Sequence, residues 1–371
     1  MTARLRVVLD QVVSRTSPDL TEASTNLVGA LIDSAPSGCD VAGILPASRP
    51  VDAQPSSTFE ALANVWTAAV PRRELAAAWR MGAALGSAGG MIHSPTLMAP
   101  LVRHDRAHDH DQTVVTLWSL EAWTSPENLD RADAAWQRAM LKRAVRFADA
   151  VVVPTHAMAA ELDEIASFGG RIRVIAGAPP KDFRIPVDAP GRVRALALPD
   201  QYVVVLGRAS AHNELAPALR AAAGTDLHVV IADADEGDTA LLADQAVSAG
   251  LLAERVHPTP TLATPDRAAL LGSAGAVIAM TGGTMFPWRT LEALAIGAPV
   301  VAVRTAQNEE LLADGAHLVG VGDSDGIAEA LRRVMVEDSF SSRLRVLAAA
   351  RARAFSWRDA AERVWQLHAE L

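Results

Sequence analysis

The feature that most constrains this chain is an alternation, run through twice, of short β-branched stretches and longer alanine-rich stretches of helical period. A strand, a helix and a second strand of this kind close as a βαβ unit, so the pattern calls for parallel sheets covered by helices. In the first half, strands are expected at residues 6–9, 40–45, 90–93, 113–117, 150–153 and 171–176. Helices are expected there at 21–34, 74–85, 130–148 and 155–165, with Thr155 as a hydroxyl N-cap. The pattern breaks at 177–199, where Pro179, Pro180, Pro186, Pro190, Gly191 and Pro199 oppose both helix and strand. It restarts with strands at 202–206, 227–231, 255–257, 276–279, 299–303 and 317–319. Helices at 212–223, 239–249, 288–296 and 326–336 separate them, and two more follow at 341–354 and 357–370. The expected fold class is α/β with two domains. An N-terminal domain covers 1–178, a linker 179–199 and a C-terminal domain 200–354, with a last helix at 355–371 free to pack back on the first domain. Two such domains imply a cleft, and open parallel sheets bind ligands at the carboxyl ends of their strands.

Several classes of function fall away on composition. The chain has 371 residues, half of them hydrophobic, and a net charge of −9. No basic stretch with interleaved aromatics stands out, which argues against nucleic acid as a partner. Cys39 is the only cysteine, so no intrachain disulfide can form. The apolar run at 5–9 is far shorter than a signal-peptide core, and no stretch approaches the roughly 20 apolar residues that span a bilayer. A cytoplasmic protein is expected, with membrane contact at most peripheral.

The chemistry concentrates at 276–303. There a buried strand runs into a loop with Gly282 and Gly283, a helix begins near Trp288, and Gly297-Ala298-Pro299 stops it before another strand. Unpaired amides at a helix start favour an anion, and the two glycines let a diphosphate approach the backbone. Glu292, one or two turns into that helix, either complements the helix dipole or accepts hydrogen bonds from vicinal hydroxyls. The run 103–111 gathers His104, His108 and His110 among aspartates, which reads as a solvated loop more readily than as a metal site. Asp233-Ala234-Asp235 and Asp323-Ser324-Asp325 read as turn residues. The helix at 130–148 carries Arg131, Arg138, Lys142, Arg143 and Arg146, a composition compatible with either a solvated face or an anionic membrane. Trp118, Trp123 and Trp136 are candidates for stacking on a sugar or for filling core.

The string L-E-A-L-A-I-G-A-P-V-V-A at 291–302 resembles the L-E-A-M-A-x-G-x-P-V-V-A element of family-4 glycosyltransferases, a group with the GT-B fold of two Rossmann-like domains. V-V-V-L-G-R at 203–208 resembles the strand and Gly-Arg that open that family's second domain. Similar matches lie in the same order at 147–162, 171–179 and 355–357, and at I-H-S-P (92–95). The resemblance implies that the second domain binds a nucleotide-diphosphate sugar and the first binds a glycan or lipid-linked acceptor. It implies transfer of a hexose-type sugar with retained configuration, and neither a metal nor another cofactor. Carried over by position, Arg208 contacts the diphosphate and Glu292 the ribose. Asn213, Gly282, Gly283, Thr284, Met285, Phe286 and Arg289 line the donor site. Thr284 and Arg208 face the reacting centre, and His93, Trp118 and Ser119 stand on the acceptor side.

The chain departs from the family at four places. Thr284 stands where the family has the first glutamate of its acidic pair, and Asn213 where it has a lysine. Trp118-Ser119 replaces a His-Asp, and residues 10–14 replace a glycine-rich loop. A second expectation therefore stands beside the enzyme: a catalytically inactive relative that partners an active glycosyltransferase. A sugar-nucleotide epimerase, which can share the fold, fits the 291–302 element less well.

Overall fold

A computed structural model describes residues 3–47, 60–83, 85, 89–209, 214–281 and 283–371. Two of the expected site residues, Asn213 and Gly282, lie outside the described residues. The chain divides into two compact units, Met1–Ala178 with Ser356–Leu371, and Pro179–Phe355.

The first unit is built on a seven-stranded parallel sheet. Its strands are β1 (Ala3–Val8), β2 (Cys39–Ala47), β3 (Asn64–Pro71), β4 (Met91–Ser94), β5 (Gln112–Thr116), β6 (Ala150–Val153) and β7 (Ile172–Val174), in the order β3-β2-β1-β4-β5-β6-β7. The second unit has a six-stranded sheet of β8 (Tyr202–Leu206), β9 (His228–Ile231), β10 (Val256–Pro258), β11 (Val277–Ala279), β12 (Val300–Val303) and β13 (His317–Val319), ordered β10-β9-β8-β11-β12-β13. Every pairing is parallel. The buried runs explain this: β5, β6, β8 and β12 are buried at every residue, as strands covered by helices on both faces must be.

Several elements depart from the sequence pattern, among them an edge strand and two helices that carry proline in their first turn. Strand β3 was not expected, although its V-W-T-A-A-V stretch is mostly apolar; it lies at the sheet edge with most of its residues exposed or half-buried. Pro71 ends it, a position that an edge strand tolerates. The proline-rich segment expected as linker contains a helix, Ala189–Ala195, with Pro190 in its first turn, where the missing N–H costs nothing. The helix Thr264–Ser273 also begins with proline at the second position.

The C-terminal helix Trp357–Glu370 belongs to the first unit. Ser356 caps it by accepting from the Asp359 amide. Its Trp365 Nε1 donates to the Leu31 carbonyl at 3.1 Å, at the end of the helix Pro18–Asp33. Among the described residues, no helix is long and apolar enough to cross a membrane.

Candidate functional site

Both sheets reverse strand order beside their first strand, at β1/β4 and β8/β11, the place where open α/β sheets hold ligands at the carboxyl ends. In the second unit, β8 ends in Gly207-Arg208. A side chain at Gly207 would meet the end of Leu215 and press on Met280, so the corner is tightly packed. Arg208 is exposed, and its Nη2 lies 3.7 Å from the Met285 Sδ. That contact joins the end of β8 to the loop after β11.

The loop after β11 holds Gly283, Thr284, Met285 and Phe286. Gly283 has φ +99°, a conformation that favours glycine, and it lies against Thr305 at the end of β12. Thr284 and Met285 are half-buried. Phe286 is buried and packs edge-on against Trp288, ring centroids 4.5 Å apart. Gln307, itself buried on the helix Ala306–Leu312 that follows β12, donates through Nε2 to the Met285 carbonyl at 2.7 Å and so pins the loop. The helix Trp288–Ala295 then starts behind Pro287 with no side-chain cap on its first amides. Uncapped amides at a helix start leave donors and a positive partial charge for an anion.

Glu292 is 1% exposed and lies within a cluster of charges. Arg267, from the helix Thr264–Ser273, grips it in a fork: Nε to Oε2 at 2.8 Å and Nη2 to Oε1 at 2.7 Å. Arg289 adds Nη1 to Oε1 at 3.0 Å, and its Nε donates to Asp233 Oδ2 at 2.7 Å. Asp233 follows β9 with φ +57°, an uncommon conformation for a side chain other than glycine. Two arginines and two carboxylates thus cancel in charge, and each buried partner is satisfied by the others. Arg267 was missed from the sequence, although an arginine set in the apolar helix R-A-A-L-L must find an acid if buried. Asp233 was set aside as a turn residue, and Gln307 gave no sign.

In the first unit, the strand-end residues turn inward. Trp118 Nε1 donates to the Pro95 carbonyl at 2.8 Å, and its ring meets Trp357 edge-on at 6.4 Å. Ser119 donates to Glu121 Oε2 at 3.3 Å and accepts from the Glu121 amide. His93 is fully buried, and its ring lies 5.6 Å from that of His368 on the C-terminal helix. His368 Nδ1 meets Gln112 Oε1 at 2.9 Å while Gln112 Nε2 donates to the His368 carbonyl. Burial holds His93 well below the usual histidine range and lowers His368 to about 4. Where a glycine-rich loop would follow β1, the chain makes a short helix, Asp10–Val13. Asp10 is buried there, accepts from Arg72 Nε at 2.8 Å, and is raised by desolvation.

The histidine-aspartate loop at 103–111 forms pairs. His104 bridges the Val102 carbonyl and Asp149, and His108 meets Asp105. Among the described residues, no three metal-ligating side chains gather.

Residues 195–337 match the profile of a family described as glycosyl transferases group 1. A search of curated proteins found no match. Among solved structures, sucrose-phosphate synthase from Thermosynechococcus elongatus is similar, with 18% identity, TM-score 0.71, and coverage of 99% of this chain and 98% of that one. Anabaena HepE, in complex with UDP-glucose, gives 18% identity and TM-score 0.72, covering 99% of this chain and 100% of that one. WaaG, a glycosyltransferase involved in lipopolysaccharide biosynthesis, gives 12% and 0.67, covering 97% and 98%. At these identities the likeness is one of fold. Over residues 195–337 this chain is therefore group 1 glycosyltransferase-like, and over its described length it carries the GT-B fold.

Proposed function

We propose that this protein is a cytoplasmic glycosyltransferase that moves a hexose-type sugar from a nucleoside-diphosphate sugar to a glycan or lipid-linked acceptor. The second unit binds the donor and the first the acceptor. The observation that carries this reading is the convergence of Arg208, the Gly283–Phe286 loop and an uncapped helix start at one strand-order reversal. A diphosphate matches those donors in charge and shape, and a guanidinium fork suits its oxygens.

In this reading the acceptor hydroxyl attacks the anomeric carbon from the face that the diphosphate leaves. The carbon–oxygen bond to phosphate breaks, the new glycosidic bond forms, and the hydroxyl proton passes to the departing phosphate oxygen. No metal ion and no separate base enter. Arg208 and the loop amides around Thr284 stabilise the charge that grows on the phosphate. Thr284 offers a hydroxyl to the sugar. Glu292 takes the ribose hydroxyls through its carboxylate, which Arg267 and Arg289 orient. Buried as it is, Glu292 meets the ribose only when covering side chains move aside. His93, Trp118 and Ser119 shape the acceptor side from within rather than by contact, except for the half-buried Ser119.

A second reading, an inactive partner of another glycosyltransferase, draws on that same commitment of Glu292 to two arginines. One assay separates the two readings. The protein is incubated with UDP-, GDP-, ADP- and TDP-glucose in the presence of EDTA, and released diphosphate and the anomer of the product are followed by NMR. Turnover of one donor with the α-anomer kept supports the enzyme. Turnover that needs a metal, or a β-anomer product, removes the stated mechanism. No turnover of any donor, with a nucleotide still bound, leaves the partner reading.

A further inference from the structure

The outer strands of a sheet carry backbone groups that no neighbouring strand satisfies, and proteins blunt such edges with brevity, charge or proline. Three of the four sheet edges here follow that rule. β7 is three residues long with Arg173 at its centre, β13 is three with His317, and β10 is three with His257 and Pro258. Edge strand β3 does not. It runs for eight residues, N-V-W-T-A-A-V-P, without a charged side chain, and Val65 is 40% exposed. Among the described residues no strand pairs on its outer side.

The register shows which groups point outward. The Leu9 amide donates to the Ile44 carbonyl, so Ile44 faces β1. The Ala63 amide donates to the Val41 carbonyl, so Val41 faces the side of β3. Successive residues of a strand turn their backbone groups to opposite sides, so Gly43 and Leu45 also face β3. Their partners in register are Val65 and Thr67. In a parallel pair a facing residue bonds to the residues on either side of its partner, and the partner's own N–H and C=O point away. Val65 and Thr67 therefore present theirs along the open edge. The Val65 amide accordingly turns to a side chain, donating to Asn64 Oδ1 at 2.8 Å in an exposed bond. Beyond Thr67 the register shifts between Leu45 and Ala47, which ends the regular edge.

This edge is self-complementary. When two antiparallel copies meet about a two-fold axis at Trp66, Val65 of each lies opposite Thr67 of the other. Each such pair exchanges N–H···O=C bonds in both directions. Trp66 then faces its own copy in the closer, non-hydrogen-bonded position, where an aromatic pair adds to the contact. Its ring is half-buried and already packs on the cluster that holds Ile44, Leu75 and Trp79. Val65 and Thr67, β-branched and exposed, pair on the opposite face. Charge agrees with this direction: exposed Glu60 precedes the strand and exposed Arg73 follows it, so antiparallel pairing brings each toward its opposite on the other copy.

We propose that two copies of this chain associate through the outer edges of β3, joining their first-unit sheets into one antiparallel-seamed sheet with Trp66 at the two-fold axis. The proposal is independent of donor binding. The regular edge is short, so the dimer is a reversible one that forms as concentration rises.

The test is sedimentation equilibrium of the full chain across micromolar to submillimolar concentration, with residue-resolved amide exchange by NMR on the same samples. A monomer–dimer equilibrium is expected, with the Val65 and Thr67 amides slowing as the dimer fills. The double variant Val65→Lys with Thr67→Lys places like charges directly across the seam and should weaken association by at least about tenfold. Val187→Lys, a charge added at an exposed site of the second unit, should leave association unchanged. Both substituted edge residues are exposed, and an unchanged thermal transition in dilute solution confirms that the double variant folds. The proposal is overturned by wild-type protein that stays monomeric throughout, or by a double variant that dimerises as well as wild type. It is equally overturned by a wild-type dimer whose Val65 and Thr67 amides exchange at the monomer's rate, a reading that needs no variant. Nucleotide binding measured on the same samples reports separately on the donor site.

Discussion

The two units repeat one strand order but use its carboxyl ends in opposite ways. In the second unit the ends of β8 and β11 stay open toward solvent: Arg208 is exposed, Thr284 and Met285 are half-buried, and the next helix starts uncapped. In the first unit the ends of β1, β4 and β5 close on themselves. Asp10 is sealed against Arg72, His93 lies under the C-terminal helix, and Trp118 bonds to Pro95. Topology alone therefore gives a place for a ligand but not the donors that hold one. Even within the second unit the two acids of the site differ in kind. Glu292 is held by a fork of arginines inside the protein, whereas Asp233 stands at the edge with one.

The largest expected effect breaks that buried cluster. Glu292→Leu leaves Arg267 buried without its partner and should destabilise the second unit by about 3–5 kcal/mol. Amide hydrogen exchange reads the units separately, and protection in β8, β11 and β12 should fall while β5 and β6 stay protected. Equal loss in both units would remove the distinction drawn between them.

The next effect belongs to the first unit and to pH. His368 is neutral when buried and titrates freely, near 6.5, once unfolded. Because its folded value is depressed to about 4, its stabilising contribution is whole above about 6.5 and is lost as pH falls toward 4. The loss amounts to up to about 3 kcal/mol, and His93, also depressed by burial, acts in the same direction. His104 runs the other way. Its hydrogen bond to Asp149 raises it, so its contribution is present below about 6.5 and is lost as pH rises through the raised value. Urea denaturation at stepped pH should show the His368→Gln variant losing part of the slope between about 6.5 and 4, with His93 carrying the remainder. A variant with the wild-type slope would place the acid sensitivity elsewhere.

A smaller effect separates binding from stability. Arg208→Ala should leave the melting temperature unchanged, because the side chain is exposed, while weakening a nucleoside diphosphate by about 10- to 100-fold. The smallest is Gly283→Ala, which forces a side chain to φ +99° against Thr305 and should cost about 1 kcal/mol.

Much of this architecture is legible in the sequence because parallel strands buried on both faces must be continuous apolar runs. Tyr202–Leu206 and Ala150–Val153 could be placed to the residue for that reason. Asn64–Pro71 was not placed, even though V-W-T-A-A-V within it is mostly apolar; Pro71 at its end opposes a strand, and an edge strand tolerates it. At the site, Gly207-Arg208 was legible only through the family resemblance, while the loop before Trp288 was visible as glycines ahead of a helix start. The fork of Arg267 on Glu292 was not, because the two residues are 25 positions apart and only the packing of two helices brings them together. The same holds for His93 and His368, one on a strand and one near the chain's end, which no local pattern links.

The most direct test of the account is calorimetric titration of the full chain with UDP, GDP, ADP and TDP, with Arg208→Ala as the matched control. Micromolar binding of one diphosphate, weakened at least tenfold in the variant, is the predicted result. No heat from any of the four at millimolar concentration, or binding that Arg208→Ala leaves unchanged, would contradict the placement of a nucleotide at the β8–β11 strand ends.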